Sequence, residues 1–127
     1  QIGAAIEDLE SAPEDMSVQG RDLLTGKPKQ VDVSYREIAK ALDKSIQRIE
    51  DAIMETLSQT PPELSADILN SGIYLAGGGS MLRGLDKRIS LKTDLPVFIA
   101  DDPLRAVVRG TGMALKNLNK YKSVLFK

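Results

Sequence analysis

The chain has 127 residues, enough for one ordinary domain or two small lobes around a buried core. Its 17 basic and 18 acidic side chains leave a formal charge of −1, which offers no basic field to a nucleic acid. Cysteine and histidine are both absent, which excludes disulfides, thiolate metal sites and Ser-His-Asp or Cys-His triads, and argues against a zinc site.

No apolar run reaches the length of a membrane span, and Gln1-Ile2-Gly3 has no signal-peptide form, so a soluble intracellular protein is expected. The chain does not start with methionine and opens inside a patterned segment, as a fragment would. Residues 1 to 33 read as a small antiparallel unit. Ile2, Ala4, Ile6 and Leu9 alternate loosely up to the acidic stretch Glu10 to Asp15. Met16, Val18 and Gly20 predict a second strand, with Leu23 and Leu24 beyond it. Thr25-Gly26-Lys27-Pro28 predicts a turn, and Gln30 to Val33 a returning strand.

Ser34-Tyr35-Arg36-Glu37 has the spacing of a capping box, in which Ser34 and Glu37 satisfy each other's backbone amides. Behind it Ile38, Leu42, Ile46, Ile49, Ile53 and Leu57 recur in steps of three and four, predicting a core-facing helix with a charged outer face. The polar cluster Asp43-Lys44-Ser45 suggests a bend between two helices. Thr60 and Glu63 repeat the capping spacing around Pro61-Pro62, so a further helix is expected there, with Leu64 and Ile68 inward and Asn70-Ser71-Gly72 at its end.

Ile73 to Ala76 then reads as a buried strand, followed at once by Gly77-Gly78-Gly79 and a helical pattern through Leu82, Leu85 and Ile89. A glycine turn at a helix start lets backbone approach a ligand closely, and free amides there, those of Ser80, Met81 and Leu82, suit phosphate. The same turn also occurs where a helix simply packs close to a sheet. Leu95 to Ala100 is a second buried strand. Asp102 and Pro103 open a last helix as N-cap and first helical residue, with Leu104, Val107, Val108, Thr111, Leu115 and Leu118 inward. The basic tail Asn119 to Lys127 is expected to fray, although Lys120, Lys122, Val124, Leu125 and Phe126 also have the chemistry to touch anionic lipid. No internal repeat is visible.

The second half thus alternates helix and strand, which predicts a parallel α/β layer. A Rossmann site would use Gly77 and Gly79, with Asp101 or Asp102 as its acid, but Leu82 occupies the place of the third glycine. Another family fits better. Pro61 to Ile68 and Gly72 to Asp86 closely resemble the MreB family, the bacterial actin homologues that determine rod shape. So do Leu95-Pro96-Val97, Ala100 to Leu104 and Arg109-Gly110-Thr111-Gly112, and Gly20 to Pro28 is similar to that family's hairpin. The resemblance runs from residue 2 to residue 118.

It implies an actin-like ATPase fold of the ribonuclease H-like kind, with this chain as a C-terminal fragment. Residues 1–43 would end the small α+β upper lobe, subdomain IIB. Residues 44–118 would end the lower lobe, IIA, and 119–127 would be a tail. It further implies ATP and Mg²⁺ in the complete protein, self-assembly into filaments, and a cytoplasmic location on the inner face of the membrane. A RodZ-like membrane protein and the cell-wall elongation machinery would be partners. Gly77, Gly78 and Gly79 match the family's second glycine-rich nucleotide loop, and Ser80, Met81 and Leu82 the turn behind it. The hydrolytic and metal-facing residues would lie upstream of Gln1, as would the membrane-binding elements. No catalytic or metal residue is therefore expected within residues 1–127. Another actin-like ATPase, such as a plasmid-segregation filament or a sugar-kinase relative, and a pure interaction module are the alternatives.

Overall fold

A computed structural model describes residues 2–125, with side chains as far as Tyr121. The first residues form a spine rather than the expected strand. Ile2 and Ala4 are buried in a cluster with Tyr35 and Ala39, whereas Ala5 is buried in a second cluster with Ile46, Leu85 and Ile89. Apolar contact on both sides breaks the alternation. Backbone pairing is confined to one parallel bridge, Ala4 to Arg83, flanked by Ala5 N–H donating to the Arg83 carbonyl at 2.8 Å.

Strands β1 (Met16–Arg21) and β2 (Pro28–Val33) form the expected antiparallel hairpin, Val18 facing Val31. Its turn is closed by Asp22, whose carboxylate accepts the N–H groups of Leu24 and Thr25 at 2.9 and 3.0 Å. Those bonds, Thr25 first, hold the Asp22 carboxyl below its ordinary range.

Helix α1 (Tyr35–Ser58) starts at the expected capping box: Glu37 N–H donates to Ser34 Oγ, and Ser34 N–H to Glu37 at 2.9 Å. It runs without a break for 24 residues. Asp43, expected at a bend, instead accepts from Gln47 one turn on and pairs with Arg88, leaving the backbone ladder undisturbed. The apolar seam is only partly covered. Ile46 is buried and Ile53 half-buried, but Ile49 is 48% exposed.

Helix α2 (Pro62–Ser71) lacks the second capping box, because Pro61 is its N-cap and Thr60 Oγ1 donates back to the Thr56 carbonyl of α1. Leu64 is exposed rather than inward, and Ile68 is half-buried. Gly72 ends the helix at φ 75°, and a Cβ there would lie 2.5 Å from the Pro96 carbonyl oxygen, so only glycine fits. The crowding comes from the parallel pairing of β3 (Ile73–Leu75) with β4 (Val97–Ile99), in which Ile73 faces Val97. Helix α3 (Leu85–Thr93) is the crossover between them. Ile73, Leu75 and Val97 pack against the Ile46–Leu85–Ile89 cluster. The opposite face, expected to be buried, is open: Tyr74 and Phe98 are 67% and 47% exposed, with ring centres 5.3 Å apart.

The last helix begins later than expected, as α4 (Ala106–Lys116) with Arg105 at its N-cap. Asp102 is not the cap; it lies at φ 49° in a turn that presents the Pro103 carbonyl to Gly77 N–H at 2.8 Å. Its expected inward face is exposed, Leu104, Val107, Val108 and Leu115 all at 64% or more. The tail, expected to fray, is helical as α5 (Leu118–Leu125). Phe126 and Lys127, and the side chains of Lys122, Val124 and Leu125 invoked for lipid contact, lie outside the described residues.

Candidate functional site

The glycine turn sits between the end of β3 and the spine. Gly77 leaves the strand at φ 83°, the left-handed region that favours glycine. The expected α-helix does not follow directly. Gly78–Met81 form a single 3-10 turn, Leu82 is extended, and α3 starts only at Leu85. The spine causes the break, because Arg83 must offer its backbone to Gly3 and Ala5 and cannot remain helical.

That geometry redistributes the amides. Ser80 N–H donates to the Gly77 carbonyl and Leu82 N–H to that of Gly79, at 3.3 and 3.2 Å, so neither is free for a ligand as the sequence suggested. Ser80 is buried, its hydroxyl donating to the Gly77 carbonyl at 2.7 Å, and it braces the turn from behind. Gly78 and Gly79 open the 3-10 turn, and among the described residues no backbone acceptor takes their N–H groups.

A cleft of about 690 Å³ lies in front of them. Gly78, Gly79, Met81 and Leu82 form one wall with Arg83 and Leu85; Leu42, Ser45, Ile46 and Ile49 of α1 form the other, with Gly3 between. The structure thus brings four of the six sequence-derived site residues to one cleft, and leaves Gly77 and Ser80 behind it as supports. The α1 wall was missed because its apolar spacing reads equally as core. Arg83 is the sole charged residue lining the cleft among those described, and no carboxylate lines it. No cluster of three or more metal-ligating acids is found among the described residues either. Asp101 and Asp102 stand apart, in ion-pair range of Arg109 and Arg105 at 4.0 and 3.8 Å.

Behind the α1 wall, Arg88 of α3 binds the buried Glu50 carboxylate, Asp43 at 2.8 Å and the Ala5 carbonyl at 3.0 Å. The Glu50 partnership, above all, raises the Arg88 pKa over its ordinary value. One guanidinium therefore ties α1, α3 and the spine together and fixes the spacing of the two walls.

This parallel β3–α3–β4 unit, with a glycine turn at its strand end and a hairpin lobe above, is part of an actin-like ATPase fold. It superposes on the structures of MreB5 of Spiroplasma citri bound to ADP and to AMPPNP, with TM-scores of 0.85 and 0.84 at 35% identity. Each covers 96% of this chain and 36% of the other. Residues 1–123 match the family model described as MreB/Mbl protein, and the chain belongs to that family. It is 40% identical over 107 residues to the cell shape-determining protein Mbl of Bacillus subtilis, covering 84% of this chain. It is also 40% identical over 112 residues to the cell shape-determining protein MreB of Escherichia coli, covering 88%. The chain spans about a third of the length of these curated relatives, 32% of each.

Proposed function

We propose that this chain is the C-terminal part of a cell-shape-determining, actin-like filament protein, and that the cleft before Gly78 and Gly79 holds part of its nucleotide, ATP. The observation that carries this reading is the pairing of two bare glycine amides with an apolar wall. Amides at the start of a helical turn suit phosphate, and Leu42, Ile46, Ile49 and Met81 suit a base and sugar. Arg83 adds a positive charge at the same wall. The relatives whose structures are described as bound to ADP and AMPPNP support it.

On this reading Mg²⁺ and the hydrolytic groups belong to the rest of the protein. Residues up to Asp43 would be the end of subdomain IIB, and those from Lys44 to Leu118 the end of IIA, with a tail beyond. Filament contacts with further copies, docking of a RodZ-like membrane protein, a link to cell-wall elongation and a place on the cytoplasmic face of the membrane complete the proposal. They rest on family membership. A plasmid-segregation filament or sugar kinase is not favoured, since the family match extends over residues 1–123.

The test is Gly78→Val in the full-length protein. A Cβ at Gly78 meets only Leu104 Cδ2, at the ordinary distance of 3.5 Å, so the fold should accept the substitution. A branched side chain would still stand where a phosphate must meet the amide. Titration with a fluorescent ATP analogue should show affinity at least about tenfold lower, roughly 1.4 kcal/mol. A variant that folds normally and binds like the parent would reduce the turn to a packing device.

A further inference from the structure

Arg88 holds two acids of α1 under unlike conditions. Asp43 and Glu50 lie two turns apart on that helix, about 10 Å along its axis, and the guanidinium reaches both. The Glu50 side chain is 7% exposed, and Arg88 Nε and Nη2 donate to it at 2.5 and 3.5 Å. It has no other hydrogen-bond partner among the described residues, so parting it from Arg88 would strand a buried charge. The Asp43 side chain is 43% exposed. One of its oxygens takes Arg88 Nη1 at 2.8 Å, and the other takes Gln47 Nε2 at 2.9 Å, from its own helix. Released from Arg88, Asp43 would keep Gln47 and add water. The Glu50 contact is therefore an anchor, while the Asp43 contact can open.

The surroundings of Asp43 give it an alternative. With Arg88, Ala5, Glu7 and Lys40 it lines a cavity of about 440 Å³ that shares no lining residue with the cleft, so solvent reaches the pair from there. Lys40, one turn before Asp43 on α1, is the other cation on this cavity and holds Glu7 only loosely, at 3.7 Å. The same pair also stands at the join of the cleft's two walls. Leu42, Ser45 and Ile46, which flank Asp43 on α1, line the cleft from one side; Leu85, one turn before Arg88 on α3, lines it from the other.

We infer that Asp43 is a positioning residue: its bond to Arg88 latches the α1 wall of the cleft to α3, and its release lets that wall turn outward about the Glu50–Arg88 anchor. Latched, Leu42 and Ile46 are held toward the glycine turn. Unlatched, Asp43 exchanges Arg88 for Lys40 and water, and the cleft widens at the Leu42 end. Asp43 touches no ligand in either state and acts through the wall it carries. The latch follows from the geometry of α1 and α3; its effect on ATP rests on the nucleotide reading of the cleft.

The test compares Asp43→Ala and Asp43→Glu with the parent in the full-length protein. Alanine is the best helix former, so the first substitution does not itself disfavour α1. These 127 residues contain no cysteine, so spin labels at Lys44→Cys and Leu91→Cys, both exposed sites, report the separation of α1 and α3 in a background otherwise free of cysteine. Without nucleotide, Asp43→Ala should lengthen that distance by about 2 Å. It should also weaken binding of a fluorescent ATP analogue by about three- to fivefold, the scale of a half-exposed ion pair. Asp43→Glu keeps the charge and should stay near the parent in both. Raised salt should lengthen the parent's distance toward that of Asp43→Ala and leave the variant unmoved. An Asp43→Ala distance equal to the parent's would overturn the inference, as would Asp43→Glu behaving like Asp43→Ala. A lower urea midpoint with distance and affinity both unchanged would overturn it too, leaving the pair a plain structural tie. A longer distance with unchanged ATP affinity would uphold the latch and count against the nucleotide reading only.

Discussion

At the scale of single residues, two devices carry more than their size suggests. Ser34 and Glu37 cap a 24-residue helix that both clusters of buried residues share. Removing the hydroxyl with Ser34→Ala should cost about 1 kcal/mol, seen as a lower urea midpoint with an unchanged slope. The Ser34 N–H, first, and its hydroxyl hold the Glu37 carboxyl below its ordinary value of 4.5. A carboxyl depressed in the folded state binds its proton more readily unfolded, so its contribution is complete above that ordinary value. It declines as pH falls from there through the native pKa. Glu37→Gln should therefore lower stability at neutral pH and converge with the parent in acid, a narrowing gap that paired urea titrations would reveal. Arg88 is the second device. Arg88→Met leaves the buried Glu50 carboxylate without its partner and should cost about 3 kcal/mol. Adding Glu50→Leu should recover much of that loss, because the unpaired charge is then gone. Equal losses in the single and double variants would show that packing, not charge, holds α1 against α3.

At the scale of elements, Gly72 joins α2 to β3 under a constraint no other residue type meets. Gly72→Ala adds a positive-φ penalty of about 1–2 kcal/mol and a carbonyl clash on top. It should separate β3 from β4, which hydrogen exchange at Ile73 would report as lost protection. The elements that local chemistry dictates were legible in the sequence: the hairpin with its Gly26 turn, the Ser34–Glu37 cap, the long apolar seam, the Gly72 stop and the parallel strand pair. Those decided by distant backbone were not. The turn after Gly79 breaks at Leu82 because Arg83 is claimed by the spine, some eighty residues earlier in the chain. Asp102 has the right chemistry for a cap, yet its turn is committed to holding Gly77. The site was legible on its glycine side, where bare backbone has a sequence signature. Its α1 side was hidden, because a helix face lining a cleft and one lining a core share the same spacing.

At the scale of the whole molecule, the balance between covered and bare surface stands out. Neither α2 nor α4 buries a residue fully, Tyr74 and Phe98 stand open on the β3–β4 sheet, and an apolar groove of about 520 Å³ runs along α1 from Arg48 to Leu57. Such surface is costly in water. The 127-residue chain on its own should therefore self-associate, through the open sheet or that groove, with a sedimentation coefficient rising with concentration. A single monomeric species throughout, unfolding cooperatively, would contradict this. The unbroken course of α1 has a mechanical side. It is a rod about 36 Å long, with the β1–β2 hairpin at one end, the cleft wall along its middle and the groove toward the other. A stiff rod clamped near its centre by Arg88 acts as a lever about that fulcrum. Tilting it by about 10° swings an end 18 Å from the pivot by about 3 Å, while the cleft wall beside the pivot moves by a fraction of that. Small changes in how tightly the cleft closes would then be read out, amplified, at the hairpin.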